Sequence, residues 1–247
     1  MKVVFILPPL YNAPMSLTMA LLMFNEAASI SSVLDETLSF CEGALEDFEI
    51  VVVDDGGTDG SAEIVRRRMT SEPRLRLVSH PVNRGMGAGA RSALGAAEKS
   101  HFVFNAADGQ IPAAELGKML PLLARADGVL STYENRRSPG RRVLSRGLRA
   151  YLRLAAGIRF SLEGLYIVPT GIAREVASEI PLDTFLFSFA LIDRCMARGV
   201  TFDTCEIACR PRLEGRSKVL GPGRMARIGR EALQFGVVRC VRNLTRW

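Results

Sequence analysis

The 247-residue chain is predicted to fold as an α/β domain built on a doubly wound, mostly parallel sheet. Apolar, β-branched runs alternate along the chain with segments of helical periodicity, which is the pattern of strands joined by crossover helices. Several of these runs end at an acidic residue close to a glycine, as expected where a buried parallel strand turns into a helix. The length suits one domain with a sizeable core.

The elements follow in a regular order. The predicted strands are residues 17–24, the run through 51–53, residues 75–79, residues 101–108 and a run from residue 127. Helical periodicity follows the first strand through Ile30, Val33, Leu34 and Leu38, and the second through residues 63–65. NRGMGAGARSALGAA predicts a glycine-rich loop that opens a helix of small residues, and a further helix is predicted from about Ala113 to Leu123.

The segment FEIVVVDDGGTDGS is the most informative part of the chain. Its valines predict a strand buried on both faces, and Gly56 allows a tight turn after it. Either Asp59 or Ser61 can cap the next helix. Ligands of open α/β sheets bind beyond the carboxyl ends of strands, so Asp54 and Asp55 are predicted to lie where a nucleotide could bind. Taken alone, the motif leaves open that these acids are only structural caps.

Five motifs in fixed order give the chain a family resemblance. They are FNEAASI, VVVDDGGTDGS, NRGMGAGA, NAADGQIP and RPRLEGRSK, spread over roughly residues 16–235. This order resembles the family 2 nucleotide-sugar glycosyltransferases of GT-A fold, above all the polyprenyl-phosphate enzymes related to dolichol-phosphate mannosyltransferase. The resemblance implies transfer of a hexose, with inversion, from a nucleoside-diphosphate sugar.

The same resemblance implies a donor site. Leu22, Phe24 and Glu26 match the first nucleotide-contacting loop of the family, although proline and tyrosine are usual at the first two positions. Val53 and Asp55 match the second such loop. A carboxylate that faces a base edge accepts a hydrogen bond from a ring N–H, which uracil and guanine both offer. The expected donor is therefore a UDP- or GDP-sugar.

The metal motif departs from the family pattern. Where relatives carry Asp-x-Asp followed by a further ligand, this chain has Ala106, Ala107 and Asp108, with Gln110 two residues later. The resemblance places all three residues of the triplet beside the donor and assigns the metal to Asp108 and Gln110. Because Mg²⁺ is often held by one or two carboxylates together with substrate phosphates and water, a weakened Mg²⁺ or Mn²⁺ site is expected.

Two cations and one altered position bear on catalysis. Arg212 and Lys218 match cations that engage the donor diphosphate or the acceptor phosphate, and with Asp108 they form the expected catalytic set. A solvated surface loop is the alternative interpretation for both cations. Ala190 stands where a carboxylate is common in relatives, which leaves Asp193 as the nearest acid.

The charge distribution bears on the acceptor. The chain carries a net charge of +6, yet residues 136–153 hold seven arginines and no acid, and residues 210–247 hold ten Lys or Arg against two Glu. The tail at 221–247 combines helical spacing of apolar residues with arginines, which indicates either a helix on an anionic membrane surface or an ordinary packing helix with a basic face. Nucleic acid is not an expected partner, because no motif of a nucleic-acid-binding fold occurs.

The predicted organisation is an N-terminal appendage at 1–15, a catalytic domain at 16–220 and the basic tail at 221–247. No segment of the sequence predicts a membrane span, and two histidines with an odd number of cysteines do not support a zinc site or a disulfide framework. The expected function is hexose transfer to a polyprenyl phosphate by a protein peripheral to the cytoplasmic face of a membrane. The alternatives are transfer to a saccharide or small-molecule hydroxyl, or nucleotide-sugar binding without turnover.

Overall fold

A computed structural model describes residues 15–134, 147, 149–154, 157–180, 186–211, 229–231, 233 and 235–236. The predicted appendage, apart from Met15, lies outside the described residues. So do Arg212, Lys218 and most of the predicted basic tail.

Strands and helices alternate through most of the described chain, as the sequence predicts. The strands are β1 (Ser16–Met23), β2 (Asp47–Asp54), β3 (Leu75–Ser79), β4 (His101–Ala106), β5 (Gly128–Tyr133), β6 (Tyr166–Pro169) and β7 (Phe202–Ile207). The helices are α1 (Ile30–Ala44), α2 (Ser61–Met69), α3 (Met86–Ala96), α4 (Leu116–Met119), α5 (Thr170–Ala177) and α6 (Phe187–Ala197). Two 3₁₀ turns, Ala113–Glu115 and Leu120–Ala124, flank α4.

The described strands form one seven-stranded sheet in the order β3-β2-β1-β4-β6-β5-β7. β1 lies between β2 and β4 and is parallel to both, and β3 continues the parallel set beyond β2. β6 runs antiparallel to its neighbours β4 and β5, whereas β7 is parallel to β5. The prediction of a mostly parallel sheet is confirmed.

Both faces of the sheet are covered by apolar packing. Along β2, Val52 packs with residues of α1, while Val53 packs with residues of α3 and α6 on the opposite face. Successive side chains of a strand point to opposite faces, so a strand that is buried on both faces needs an uninterrupted apolar run. This is the physical reason for the sequence IVVV in β2.

The region predicted as one helix near residues 113–123 is instead broken into a 3₁₀ turn, α4 and a second 3₁₀ turn. Pro121 lacks the N–H that an α-helix interior requires and lies at the start of the second turn. Strand β4 also ends earlier than predicted, at Ala106, so that Asp108 lies in the following loop.

Candidate functional site

The loops that follow β1, β2, β3 and β4 meet at one edge of the sheet. Register pairs Met23 with Asp54, Asp54 with Ser79, and Leu22 with Ala106, so the four parallel strands end side by side. This edge is the place where open α/β sheets bind their ligands. We call these four loops, at residues 24–29, 55–60, 80–85 and 107–112, the site loops.

The first two site loops are joined by side-chain hydrogen bonds. Asn25 has a positive φ of 54°, and its Oδ1 accepts a hydrogen bond from the Thr58 N–H at 2.7 Å. Asp59 Oδ2 accepts one from the Ala27 N–H at 2.8 Å, and its Oδ1 accepts one from the Ser61 N–H at 3.0 Å. The prediction that Asp59 or Ser61 caps α2 is wrong, because the N-cap is Gly60 and no side chain caps the helix; Asp59 instead hydrogen-bonds to the first helical residue, Ser61. Desolvation acts to raise the pKa of Asp59, but the hydrogen bonds from Ser61 and Ala27 outweigh it and hold the pKa below its usual value.

The three residues predicted on the first site loop, or just before it, are all half-buried. Leu22, the last residue but one of β1, packs closely against α3, since a Cβ on Gly89 would lie only 2.3 Å from Leu22 Cδ1. Phe24 and Glu26 flank Asn25 in the sequence. Glu26 Oε2 accepts a hydrogen bond from the Ser29 hydroxyl at 3.2 Å. The same hydroxyl also lies 2.9 Å from the Ala107 carbonyl oxygen, which links the first site loop to the fourth.

The second site loop holds the residues predicted to read the base. The Val53 side chain is buried in the core on the α3 face. Asp55 is 2% exposed, and both of its oxygens accept hydrogen bonds: Oδ1 from the Arg84 N–H at 2.8 Å, and Oδ2 from the Gly85 N–H at 2.9 Å. The Asp55 carboxylate also lies 2.8 Å from His80 Nδ1. Asp55 therefore joins the second site loop to the third.

Asp54 has a different environment from its neighbour. Its Oδ1 accepts a hydrogen bond from the Gly57 N–H at 2.9 Å, whereas its Oδ2 has no hydrogen bond within the described part of the chain. A Cβ on Gly57 would lie 3.0 Å from that Oδ1 and 3.2 Å from Asn25, so the backbone approaches both residues closely. Of the two adjacent acids, Asp54 retains the greater capacity to accept a hydrogen bond from a ligand.

The fourth site loop carries the altered metal motif. Asp108 is 6% exposed, and its Oδ1 accepts a hydrogen bond from the Gln110 N–H at 3.1 Å across Gly109, whose φ is 68°. Ala107 is fully buried, and its N–H donates to the Leu22 carbonyl at 2.9 Å, which fixes the start of this loop beside β1. Ala106, the last residue of β4, is half-buried.

Arg210 holds the backbone of the fourth site loop through hydrogen bonds. Its backbone N–H donates to the Gln110 carbonyl at 2.9 Å, and its Nε donates to the Gly109 carbonyl at 2.7 Å. The guanidinium also pairs with Glu36 of α1. The motif RPRLEGRSK thus begins in contact with the loop that carries Asp108.

Groups of three or more metal-ligating side chains are absent from the described residues. The assignment of a metal to Asp108 and Gln110 stays a prediction. Ala190 is 2% exposed in the core, on α6, and Asp193 on the same helix is 7% exposed. The alanine at position 190 is thus part of the packing between helix and sheet.

The fold defines the class of the protein. The chain superimposes on glucosyl-3-phosphoglycerate synthase from Mycobacterium tuberculosis, solved with Mn²⁺, UDP-glucose and phosphoglyceric acid, with a TM-score of 0.66 and 23% identity. The superposition covers 92% of this chain and 80% of the synthase. A likeness at this identity establishes the GT-A fold.

The sequence establishes the family. The profile described as "Glycosyl transferase family 2" matches residues 19–171, and the chain belongs to that family. It is 39% identical over 70 residues to a dolichyl-phosphate beta-glucosyltransferase of Trichomonas vaginalis, a match that covers 26% of this chain and 21% of the relative. It is 26% identical over 143 residues to the undecaprenyl-phosphate 4-deoxy-4-formamido-L-arabinose transferase of Aeromonas hydrophila, covering 56% and 44%. The chain thus spans less than half the length of these curated relatives.

Sequence reasoning did not find all the residues that build this edge. Asn25 joins the first and second site loops, Arg210 donates a hydrogen bond to the backbone of the fourth, and His80 contacts Asp55. Asn25 and Arg210 lie inside the motifs FNEAASI and RPRLEGRSK, so the motifs mark the segments but not which side chain forms the contacts. The sequence offers one indication for His80, which is that the chain contains only two histidines.

Proposed function

We propose that this protein transfers a hexose, with inversion, from a UDP- or GDP-sugar to a polyprenyl phosphate. The observation that carries the proposal is the convergence of four loops, each bearing a family 2 motif, at the carboxyl edge of the parallel strands. The two curated relatives described above are named for transfer to dolichyl phosphate and undecaprenyl phosphate, which supports a polyprenyl phosphate as the acceptor class.

The nucleotide would bind across the first and second site loops. Phe24 and Leu22 offer apolar contact for the base, and the Asp54 oxygen without a partner suits a ring N–H donor. Asp55, the acid matched by the family motif, would act on the same site by holding the third site loop, because three of the about four acceptor positions of its carboxylate are already used within the protein. Comparing Asp54→Asn with Asp55→Asn in nucleotide binding separates these two roles.

The donor diphosphate would lie between the fourth site loop and the cations of RPRLEGRSK. Asp108 and Gln110 fit a partial site for Mg²⁺ or Mn²⁺ in which the diphosphate completes the coordination, and a bound metal would neutralise charge on the leaving group. Arg212 follows Arg210 by two residues in the sequence and lies outside the described residues. In the proposed role, a fixed cation beside the diphosphate would stabilise the charge of the leaving group.

A phosphate acceptor fits the catalytic groups of this chain. A hydroxyl nucleophile needs a base to take its proton, whereas a phosphate oxygen is already anionic. Ala190 offers no such base, and it is buried in the core. The acceptor phosphate therefore attacks the anomeric carbon directly, the bond from that carbon to the diphosphate breaks, and the nucleoside diphosphate leaves from the opposite face of the sugar.

The acceptor would be reached at a membrane surface. Helices of the described residues include none long and apolar enough to cross a bilayer. Two leucines on basic helical segments are nevertheless strongly exposed: Leu154, at 86%, follows Arg153, and Leu233, at 60%, lies near Arg230. Exposed leucines beside arginines suit the interface of an anionic bilayer, and this supports peripheral binding.

Binding of donor and membrane can be tested separately. UDP or GDP at 100 times its dissociation constant should stabilise the fold by about 2.7 kcal/mol, measured by thermal shift with and without Mn²⁺. The protein should co-sediment with anionic liposomes and detach as salt rises, while neutral liposomes serve as the control. No shift with either nucleotide in the presence of Mn²⁺ would overturn the donor site. Nucleotide binding without association with anionic liposomes would favour a soluble hydroxyl acceptor.

A further inference from the structure

A buried histidine connects the second site loop to α3. His80 is 7% exposed, and its Nδ1 lies 2.8 Å from Asp55 Oδ1 while its Nε2 lies 2.8 Å from Ser92 Oγ. Its backbone N–H donates to the Asp54 carbonyl at 2.8 Å. His80 therefore contacts the end of β2 through both its main chain and its side chain, and contacts the middle of α3 through the other ring nitrogen.

The partners of the ring determine the direction of these hydrogen bonds. An ionised carboxylate only accepts, so the proton on Nδ1 is donated to Asp55. In the neutral imidazole Nε2 then accepts from the Ser92 hydroxyl. Both ring nitrogens are satisfied, and the orientation of the ring is fixed from two sides. The Asp55 carboxylate is in turn oriented by the ring.

Asp55, once oriented by His80, holds the residues at the start of α3. Its two oxygens hold the N–H groups of Arg84 and Gly85, the last two residues before the helix. Gly85 has a φ of 93° and a ψ of 171°, a backbone conformation that glycine adopts far more readily than other residues. The second and third site loops are also in close contact, because a Cβ on Gly56 would lie 2.6 Å from the Val82 carbonyl carbon.

The start of α3 lies directly beside the proposed donor site. Gly89, in the first turn of the helix, packs against Leu22, one of the residues predicted to contact the nucleotide. Backbone N–H groups at a helix N-terminus carry partial positive charge. A shift of this helix start by even a fraction of an ångström would change both the shape and the electrostatics of one wall of the site.

We propose that His80 is a positioning residue for donor binding: it orients Asp55 so that the loop at 82–86 and the N-terminus of α3 form one wall of the nucleotide-sugar site. This inference rests on the proposed function. The hydrogen bond from His80 Nδ1 to Asp55, rather than the volume of the imidazole ring, sets the affinity for the nucleotide.

Two substitutions of His80 distinguish the effect of its hydrogen bond to Asp55 from the effect of its side-chain volume. The amide nitrogen of asparagine in His80→Asn can take the place of Nδ1 and still donate to Asp55. The longer side chain in His80→Gln places its amide where Nε2 lies, so it keeps a partner for Ser92 and loses the bond to Asp55. Thr18→Val is the matched control, because Thr18 is fully buried at the opposite end of β1 and its hydroxyl donates to Glu49 at 2.6 Å.

The measurements are the dissociation constants of UDP and GDP, the KM and kcat for the donor sugar, the melting temperature, and hydrogen exchange of the Arg84 and Gly85 amides. His80→Gln should weaken nucleotide binding and raise KM by roughly tenfold, leave kcat near the wild-type value, and speed exchange of the two amides. His80→Asn should stay within about threefold of the wild type in affinity. Thr18→Val should lower the melting temperature and leave nucleotide affinity unchanged.

The outcomes distinguish this inference from the proposed function. If His80→Asn impairs nucleotide binding more than His80→Gln, the volume of the ring matters and the inference is wrong. If both variants lower the melting temperature but bind nucleotide as the wild type does, His80 is purely structural and the inference alone is overturned. If the wild-type protein binds neither nucleotide, the proposed function fails and the inference fails with it.

Discussion

Substituting Asp55 with asparagine should destabilise the fold far more than the loss of one surface charge would. The carboxylate is 2% exposed and accepts hydrogen bonds from the Arg84 and Gly85 N–H groups and from His80. In Asp55→Asn one oxygen becomes an NH₂ group that faces an N–H donor, and the remaining bonds lose their ionic character. A hydrogen bond to a charged group contributes about 1.5–3 kcal/mol, and a buried donor left without a partner costs about 1–3 kcal/mol. We expect a loss of about 3 kcal/mol in the free energy of unfolding.

Chemical denaturation with guanidinium chloride measures this loss, and a melting curve should shift downward by about 6 to 12 °C for a chain of this length. Asp35→Asn is the control, because Asp35 is 57% exposed and its ion pair with Arg68 lies at the surface. That variant should stay within about 0.5 kcal/mol of the wild type. A stability of Asp55→Asn within the same margin would refute the assignment of Asp55 as the link between the second and third site loops.

Three further predictions concern the metal, the cations and the pH dependence. Asp108→Ala should abolish the part of nucleotide binding that depends on Mn²⁺ and leave the rest, as titration with and without chelator will show; equal loss in both conditions would contradict a metal role. Arg212→Ala and Lys218→Ala should each lower transfer far more than they lower the melting temperature, because the proposed role of both cations is to stabilise phosphate charge rather than to pack the core; parallel loss of transfer and melting temperature would make them structural. Burial lowers the pKa of His101, so the folded state binds fewer protons than the unfolded state. The free energy of unfolding therefore decreases as pH falls from about 6.5, the ordinary pKa of histidine, toward the lowered pKa in the folded state. His101→Gln should therefore reduce the loss of stability between about pH 7.5 and 5.5, and an unchanged pH profile would exclude this contribution.

The first half of the fold could be predicted closely from the sequence, because each buried parallel strand requires an apolar run and each crossover helix shows its own period. Strands β1 to β5 appear where the runs predict them. β6 and β7 were not predicted as strands: β6 is only four residues long, and β7 contains two acidic residues and is partly exposed over most of its length. The pairing of β6 antiparallel to β4 and β5 depends on contacts that no local pattern encodes.

The candidate site was predicted as a set of segments rather than as a set of contacts. The order of the motifs locates the four site loops, because the carboxyl ends of parallel strands meet at one edge of the sheet. Which of two adjacent acids keeps an oxygen for a ligand depends on the loop that folds back onto it, and for Asp55 that loop lies almost 30 residues further along the chain. The motif therefore favours Asp55 for base recognition, while within the described residues it is Asp54 that has an oxygen without a hydrogen bond.

The most direct test of the proposed activity compares two acceptors that differ only in the phosphate. The purified protein, with Mn²⁺ and anionic liposomes, is supplied with labelled UDP- and GDP-hexoses and either a polyprenyl phosphate or the matching polyprenol. Transfer of label to the polyprenyl phosphate alone, with inversion at the anomeric carbon, is the predicted result. Transfer to the polyprenol or to a soluble hydroxyl would contradict the proposed acceptor, and nucleotide binding without transfer to any acceptor would contradict the proposal of an active enzyme.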